Sequence, residues 1–117
     1  MKKRVLCIED HTDTSELISV ILRDYEVISA LSLEDAQRKA ATEKFDLYLV
    51  DYYLPDGLGL EFILKVKSLD GDTPILMVTG SPVEESQAES LGADGIIKKG
   101  TMSFVEDLRN QVSQLLK

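Results

Sequence analysis

Three carboxylates, a hydroxyl and an ammonium group stand out, because each follows directly on a short apolar run. Arg4–Ile8 (RVLCI) leads into Glu9 and Asp10, Leu47–Val50 (LYLV) into Asp51, Ile75–Val78 (ILMV) into Thr79, and Gly95–Ile97 (GII) into Lys98 and Lys99. Unbroken apolar runs bounded by turn residues read as strands buried on both faces of a parallel sheet. Parallel strands present their carboxyl ends on one side, where open α/β sheets bind ligands, so these polar residues should meet at one edge. A carboxylate straight after a buried strand is costly without a partner. Three gathered together repel, and a divalent cation is the simplest compensation. Hard oxygen donors without His or Cys company favour magnesium over zinc. His11 lies beside the acid pair but lacks a second His or Cys ligand, and it reads as a surface-loop residue, with a metal or phosphodonor role as the alternative. Across the metal, Lys99 and Thr79 offer a cation and a neutral donor suited to phosphoryl oxygens.

The elements that must position these groups alternate strand with helix five times along the chain. Asp13 with Glu16 resembles a capping box for a first helix through about Asp24, with Leu17, Ile18, Ile21 and Leu22 along one face. Glu26–Ala30 is a second strand, and Ser32 with Asp35 starts a helix through about Glu43 that buries Leu33, Ala36 and Ala40. Pro55, Gly57 and Gly59 break regular structure after Asp51, forming a loop that holds it at the sheet rim. A third helix from about Gly59 to Ser68 carries Leu60, Phe62, Ile63 and Val66. Val83–Leu91 is polar with few apolar anchors, a loosely held fourth helix ending at Gly92 and the one readiest to move. Ser103 with Glu106 caps a last helix bearing Phe104, Val105, Leu108, Val112 and Leu115. Right-handed crossovers at this spacing predict a parallel sheet with helices on both faces.

Composition narrows the function classes. A chain of 117 residues suits one compact domain spanning 1–117 and can bury roughly two-thirds of its unfolded surface. Its net charge of -8 argues against direct nucleic-acid binding by bulk electrostatics. Cys7, the single cysteine, lies inside an apolar run and reads as a buried thiol in a reducing cytosol. No apolar stretch approaches the roughly 18 residues of a membrane span, and Met1–Arg4 runs into a strand rather than a signal-peptide core. A cytoplasmic protein without membrane contact is expected. Gly57 and Gly59 do not continue into a dinucleotide-site glycine pattern, and no phosphate-binding loop with a GxxxxGK pattern is present.

The chain resembles the response-regulator receiver domains of two-component signalling over nearly its whole length. The resemblance rests on Glu9 and Asp10, on Asp51 with Pro55 and Gly59 at the family's spacing, on Thr79 closing the fourth strand, and on Lys99 after GADGIIK. It implies a flavodoxin-like, doubly wound α/β fold, with five helices around five parallel strands in the order 2-1-3-4-5. It also implies that Asp51 takes a phosphoryl group from a sensor histidine kinase's phosphohistidine, a phosphotransfer protein or a small phosphodonor. Glu9, Asp10, Asp51 and the Tyr53 backbone carbonyl would hold magnesium. Lys99 and Thr79 would contact the phosphoryl group, and Tyr53 and Ser81 would line the path of the hydrolytic water. Phosphoryl transfer needs in-line positioning and charge neutralisation more than covalent help, so a carboxylate nucleophile, a magnesium ion and one lysine suffice. Such a chain is a phosphoacceptor with self-catalysed phosphorylation and dephosphorylation, rather than an enzyme acting on a separate substrate. New dianionic charge beside Thr79 would draw its hydroxyl, pull Gly80–Leu91 with it, and change the surface around the fourth helix and fifth strand for a downstream protein.

Two positions depart from the family pattern. Gly100 replaces the proline that follows the lysine, so no cis peptide is assumed, and Ile96 replaces the aromatic switch residue. They motivate an alternative, a pseudo-receiver that is not phosphorylated and acts only as a protein-interaction module. The spacing selects Lys99 over Lys98, whose side chain should point to the other face and into solvent. An aspartyl-phosphate phosphatase of the haloacid dehalogenase type needs a second Asp where this chain has Tyr53.

Overall fold

The computed structural model describes residues 1–117. In chain order the elements are β1 Arg4–Ile8, α1 Thr12–Ile21, β2 Glu26–Ala30, α2 Leu33–Thr42, β3 Leu47–Asp51, β4 Tyr53–Leu54, β5 Gly57–Leu58, α3 Gly59–Leu69, β6 Ile75–Thr79, α4 Pro82–Ser90, β7 Gly95–Lys98 and α5 Phe104–Leu115. Five strands form one sheet in the order β2-β1-β3-β6-β7, all paired in parallel. Setting aside the small β4–β5 hairpin, this is the expected order 2-1-3-4-5.

Register brings the strand ends level. Ile8 pairs with Val50, Asp51 with Val78, and Thr79 with Lys98. Because side chains alternate along a strand, each strand feeds two cores. On one face Leu6, Ile8, Tyr48, Val50, Ile75 and Met77 meet Leu33 and Ala36 of α2, Phe62, Ile63 and Val66 of α3, and Ala88 of α4. On the other, Val5, Cys7, Leu47, Leu49, Leu76, Val78 and Ile97 meet Ile18 of α1, Leu22 just beyond it, and Leu108 and Val112 of α5. Burial on both faces is why β3 and β6 read as continuous apolar runs. No helix is long and apolar enough to cross a membrane.

The helix starts follow the sequence only in part. Ser32 does cap α2, accepting the Asp35 N–H at 3.1 Å. The Asp13–Glu16 box does not form, because His11 occupies the N-cap position with extended backbone and Asp13 already lies in the first turn. There its charge still favours the helix N-terminus. α1 also ends at Ile21 rather than Asp24, and Leu17 is half exposed on its outer side. Ser103 is the N-cap of α5 but makes no capping bond, since its hydroxyl donates to Asp107 instead. The predicted pairing with Glu106 is therefore absent, and Val105 faces outward.

The loop after Asp51 is more ordered than its Pro and Gly content suggested. Tyr53 and Leu54 pair antiparallel with Leu58 and Gly57 around Pro55 and Asp56. The Asp56 carboxylate accepts the N–H groups of Leu33 and Glu34 at 2.8 and 3.0 Å, tying this hairpin to the unsatisfied donors at the start of α2. Gly59 then opens α3 hard against the sheet. Its N–H donates to the Tyr52 carbonyl at 2.7 Å, and a Cβ there would overlap the Asp51 carbonyl oxygen and approach Val50 Cγ1 to 2.8 Å. Only a glycine lets the helix begin this close to Asp51.

α4 is the least anchored helix, with Ala88 its one buried residue. Ser81 caps it by accepting the Glu84 N–H at 3.2 Å, and Pro82 sits at its start, where a missing N–H costs nothing. Gly92 follows it with a φ of +105°, a left-handed stop.

Candidate functional site

The level strand ends place Glu9, Asp51 and Thr79 side by side and almost wholly buried, at 4%, 3% and 0% exposure. Asp10 and Lys99 lie at the rim with partly exposed side chains. The Lys99 N–H donates to the Thr79 carbonyl at 2.8 Å, which ties the end of β7 to the end of β6. Its ammonium reaches over to Asp51, with Nζ 2.5 Å from Oδ1. The two form a close ion pair, and Asp51 Oδ1 has no hydrogen-bond partner besides. Asp10 Oδ1 and Thr79 Oγ1 are likewise buried and unpartnered.

Buried polar atoms left without partners are costly, and three of them around one sheet edge point to groups that a bound species satisfies. One ligand atom from each of Glu9, Asp10, His11 and Asp51 lies within 4.8 Å of the others. The unpartnered oxygens and the carboxylate-rich donor set fit a hard divalent cation, so this cluster could hold a metal. Beside it a cavity of about 420 Å³ runs from Glu9, Asp51 and Lys99 toward Ile18 and Phe104.

Electrostatics bear the strain of the arrangement. Burial pushes the Glu9 carboxyl up to about 7, helped by the charge of Asp51 and a side-chain hydrogen bond with it, while the His11 backbone N–H and Lys99 pull the other way. Desolvation and a like charge thus act together on one carboxyl, and a single lysine offsets them only in part. Burial also pushes the Cys7 thiol up to about 12, consistent with an inert core residue.

Of the five strand-end residues, Glu9, Asp10 and Asp51 cluster and Lys99 reaches Asp51, while Thr79 joins them through its main chain, its carbonyl accepting the Lys99 N–H. Lys98 points away, as alternation requires, but it is not merely solvated, since its ammonium lies 3.5 Å from Glu85 of α4. Tyr53 opens the hairpin at 60% exposure, with its ring edge-on to Tyr52 at 4.8 Å between centroids. The Ser81 hydroxyl is committed to the α4 cap. Ile96 packs against the core beneath α4, and Gly100 has a φ of +72° with no cis peptide in the chain. His11 is a surface residue beside the acid pair, its ring largely exposed and its Nδ1 3.4 Å from Glu9 Oε2 and 3.3 Å from Asp10 Oδ1.

One pair escaped the sequence reading. Tyr52, buried beside Asp51, donates its hydroxyl to the side-chain oxygen of Gln87 on α4. Strand alternation could have placed the Tyr52 ring on the face opposite Asp51, but nothing local marks Gln87 as its partner. Glu84 supplies a further tie by accepting the Gly80 N–H at 2.8 Å.

A family model of the response regulator receiver domain matches residues 5–112. The phosphate regulon transcriptional regulatory protein PhoB of Escherichia coli is 32% identical over 105 residues, covering 85% of this chain and 46% of PhoB. The alkaline phosphatase synthesis transcriptional regulatory protein PhoP of Bacillus subtilis is 34% identical over 103 residues, covering 85% and 43%. This chain therefore spans about half the length of the curated relatives it matches. Among solved structures, chemotaxis protein CheY4 of Vibrio cholerae superposes with a TM-score of 0.87 at 29% identity, covering 99% of this chain and 100% of that one. Response regulator TrrA of Thermotoga maritima, solved in complex with Mg2+-BeF, gives 0.88 at 28% identity, covering 97% and 99%.

The raised Glu9 carboxyl predicts how metal-free stability depends on pH. A carboxyl whose folded value lies near 7 contributes stability that is complete below its ordinary value of 4.5 and lost as pH rises through about 7. Urea unfolding across that window should show wild type losing stability more steeply than Glu9→Gln, which has no proton to release. Parallel profiles for the two proteins would show that Glu9 is not strained by its neighbours.

Proposed function

The chain belongs to the response regulator receiver family, and from that premise we propose that it is a phosphoacceptor switch in which Asp51 receives a phosphoryl group from a histidine kinase or phosphotransfer protein. What supports the reading most is the Lys99–Asp51 contact: a nearly buried carboxylate at the strand end with a lysine ammonium 2.5 Å from one oxygen. A group held this way keeps an oxygen free for reaction while its charge is partly offset.

In this reading an Asp51 oxygen attacks the phosphorus of a phosphoimidazole. The P–N bond breaks, its electron pair stays on the imidazole nitrogen, which takes up a proton, and an acyl phosphate forms. Lys99 transfers its contact from the carboxylate to a phosphoryl oxygen, and the unpartnered Thr79 hydroxyl donates to another. Glu9, Asp10, Asp51 and the Tyr53 carbonyl would hold magnesium, which supplies the positive charge that offsets the approaching anion. Residues 1–117 act as one receiver domain without catalysis on a separate substrate.

The readout is α4 and its neighbour β7. Movement of Thr79 passes through Gly80 to the Ser81 cap, and α4 resists little because only Ala88 is buried. With Ile96 where a switching ring would stand, the Tyr52–Gln87 bond gives a second tie from beside Asp51 to the same helix. The partner that senses the change is a downstream protein in the cytoplasm; a net charge of -8 disfavours nucleic acid as a direct partner. Ile96 and Gly100 keep the pseudo-receiver as the competing reading, and phosphorylation separates the two.

Incubation with magnesium and a small phosphodonor should add one phosphoryl group by intact mass to wild type and none to Asp51→Asn. Absence of labelling in wild type, or equal labelling of the variant, would favour the interaction module or another acceptor.

The lifetime of the phosphoryl group follows from Tyr53 and Ser81. Neither carries a carboxylate or amide to orient water, Ser81 is engaged in a helix cap, and the Tyr53 ring can cover the acyl phosphate. Dephosphorylation should be slow, and Tyr53→Asn should speed it about tenfold, equivalent to about 1.4 kcal/mol of barrier. Decay of the phosphoprotein after donor removal, at saturating magnesium, makes the comparison; equal or slower decay in the variant would show that the ring does not shield the site.

A further inference from the structure

We infer that His11 is a nitrogen donor to the cation of this site, shifting its preference from magnesium toward divalent transition cations such as Mn2+. The inference rests on the reading that Glu9, Asp10 and Asp51 share a divalent cation, and it adds a fourth side chain and a change of metal selectivity.

Geometry supplies the first argument. His11 Nδ1 stands 3.3 Å from Asp10 Oδ1 and 3.4 Å from Glu9 Oε2, and atoms of all four residues lie within 4.8 Å of one another. Ligands around one ion sit about this far apart when each is roughly 2.1–2.3 Å from the metal. Two of the neighbouring oxygens, Asp10 Oδ1 and Asp51 Oδ1, are buried without a hydrogen-bond partner, the second with the Lys99 ammonium at 2.5 Å, and Asp51 itself is 3% exposed. The open lone pairs and the imidazole nitrogen thus converge.

The local backbone supplies the second. His11 is the N-cap of α1, so its main chain is fixed at a helix start, while its side chain makes no capping bond. Its own N–H leans on Glu9 Oε2 at 3.4 Å, holding residue 11 against the acid pair. The ring is 71% exposed and can turn its nitrogen inward without breaking a packed contact.

Donor chemistry sets the selectivity. Carboxylates and carbonyls suit magnesium and manganese alike, whereas a nitrogen donor favours first-row transition cations over magnesium, Mn2+ least among them, so one imidazole in an oxygen set raises transition-metal binding without excluding magnesium. The competing role for His11, a counter-charge to the acids, would act on every divalent cation alike and would place no nitrogen on the metal.

His11 is the only histidine in the chain, so imidazole coordination in untagged protein has one source. Mg2+ and Mn2+ isotherms at about pH 8, where free imidazole is neutral, would be measured on wild type, His11→Ala and Asp10→Asn, with pulsed electron paramagnetic resonance of the Mn2+ form. Wild type should show 14N coupling to Mn2+ that His11→Ala lacks, and the preference for Mn2+ over Mg2+ should fall about tenfold in that variant. An unchanged preference, or no 14N coupling in wild type, with both ions still bound and weakened by Asp10→Asn, would overturn the role of His11 and leave the shared cation site standing. No binding of either ion, or binding unaffected by Asp10→Asn, would remove the cation site and the inference with it.

Discussion

Mutual repulsion among Glu9, Asp10 and Asp51 is the constraint on which the rest of the molecule depends. Two of these acids are almost wholly buried, and one lysine answers them. Charges desolvated in this way cost several kcal/mol unless compensated. The fold retains them because the cores beneath, built on both faces of the sheet, are extensive enough to carry the expense. What results is a cluster that could hold a metal ion, whose charge would offset the acids.

In the proposed function, parallel register converts that electrostatic problem into a switch. Level strand ends set Thr79 and Lys99 against the same edge as the acids, and the Lys99 N–H bond to the Thr79 carbonyl makes β6 and β7 end together. The well-packed helices α1, α2, α3 and α5 hold the edge still. α4 alone is attached mainly by polar contacts: the Ser81 cap, the Glu84 bond to Gly80, the Lys98–Glu85 pair and the Tyr52–Gln87 bond. Polar contacts near a changing charge are the ones that rearrange, whereas a packed apolar face resists.

The strand ends were legible in the sequence because burial on two faces forces uninterrupted apolar runs, and the polar residue that ends each run then declares itself. Ser32 was legible for a similar reason, as a cap is a local contact. Asp13–Glu16 and Ser103–Glu106 had the same spacing but failed, since His11 had already taken the N-cap of α1 and Asp107 took the Ser103 hydroxyl. The β4–β5 hairpin was hidden because strands of two residues have no readable period. Asp56 on the start of α2, and Tyr52 on Gln87, join residues far apart in the chain, and such pairings exist only once the fold has formed. A metal role for His11 was legible only as an alternative, because a lone histidine carries no spacing signal and its contacts with the acids depend on the turn out of β1.

Thermal unfolding of wild type and Asp10→Asn above pH 7, each in chelator and at saturating magnesium, tests the repulsion most directly. If three carboxylates strain the metal-free site, removing one charge should raise the melting temperature in chelator, and magnesium should then stabilise wild type far more than the variant. A ligand at about a hundred times its Kd stabilises by about 2.7 kcal/mol, a shift of several degrees for a chain of this size. A variant that melts lower than wild type in chelator and gains as much from magnesium would contradict the account.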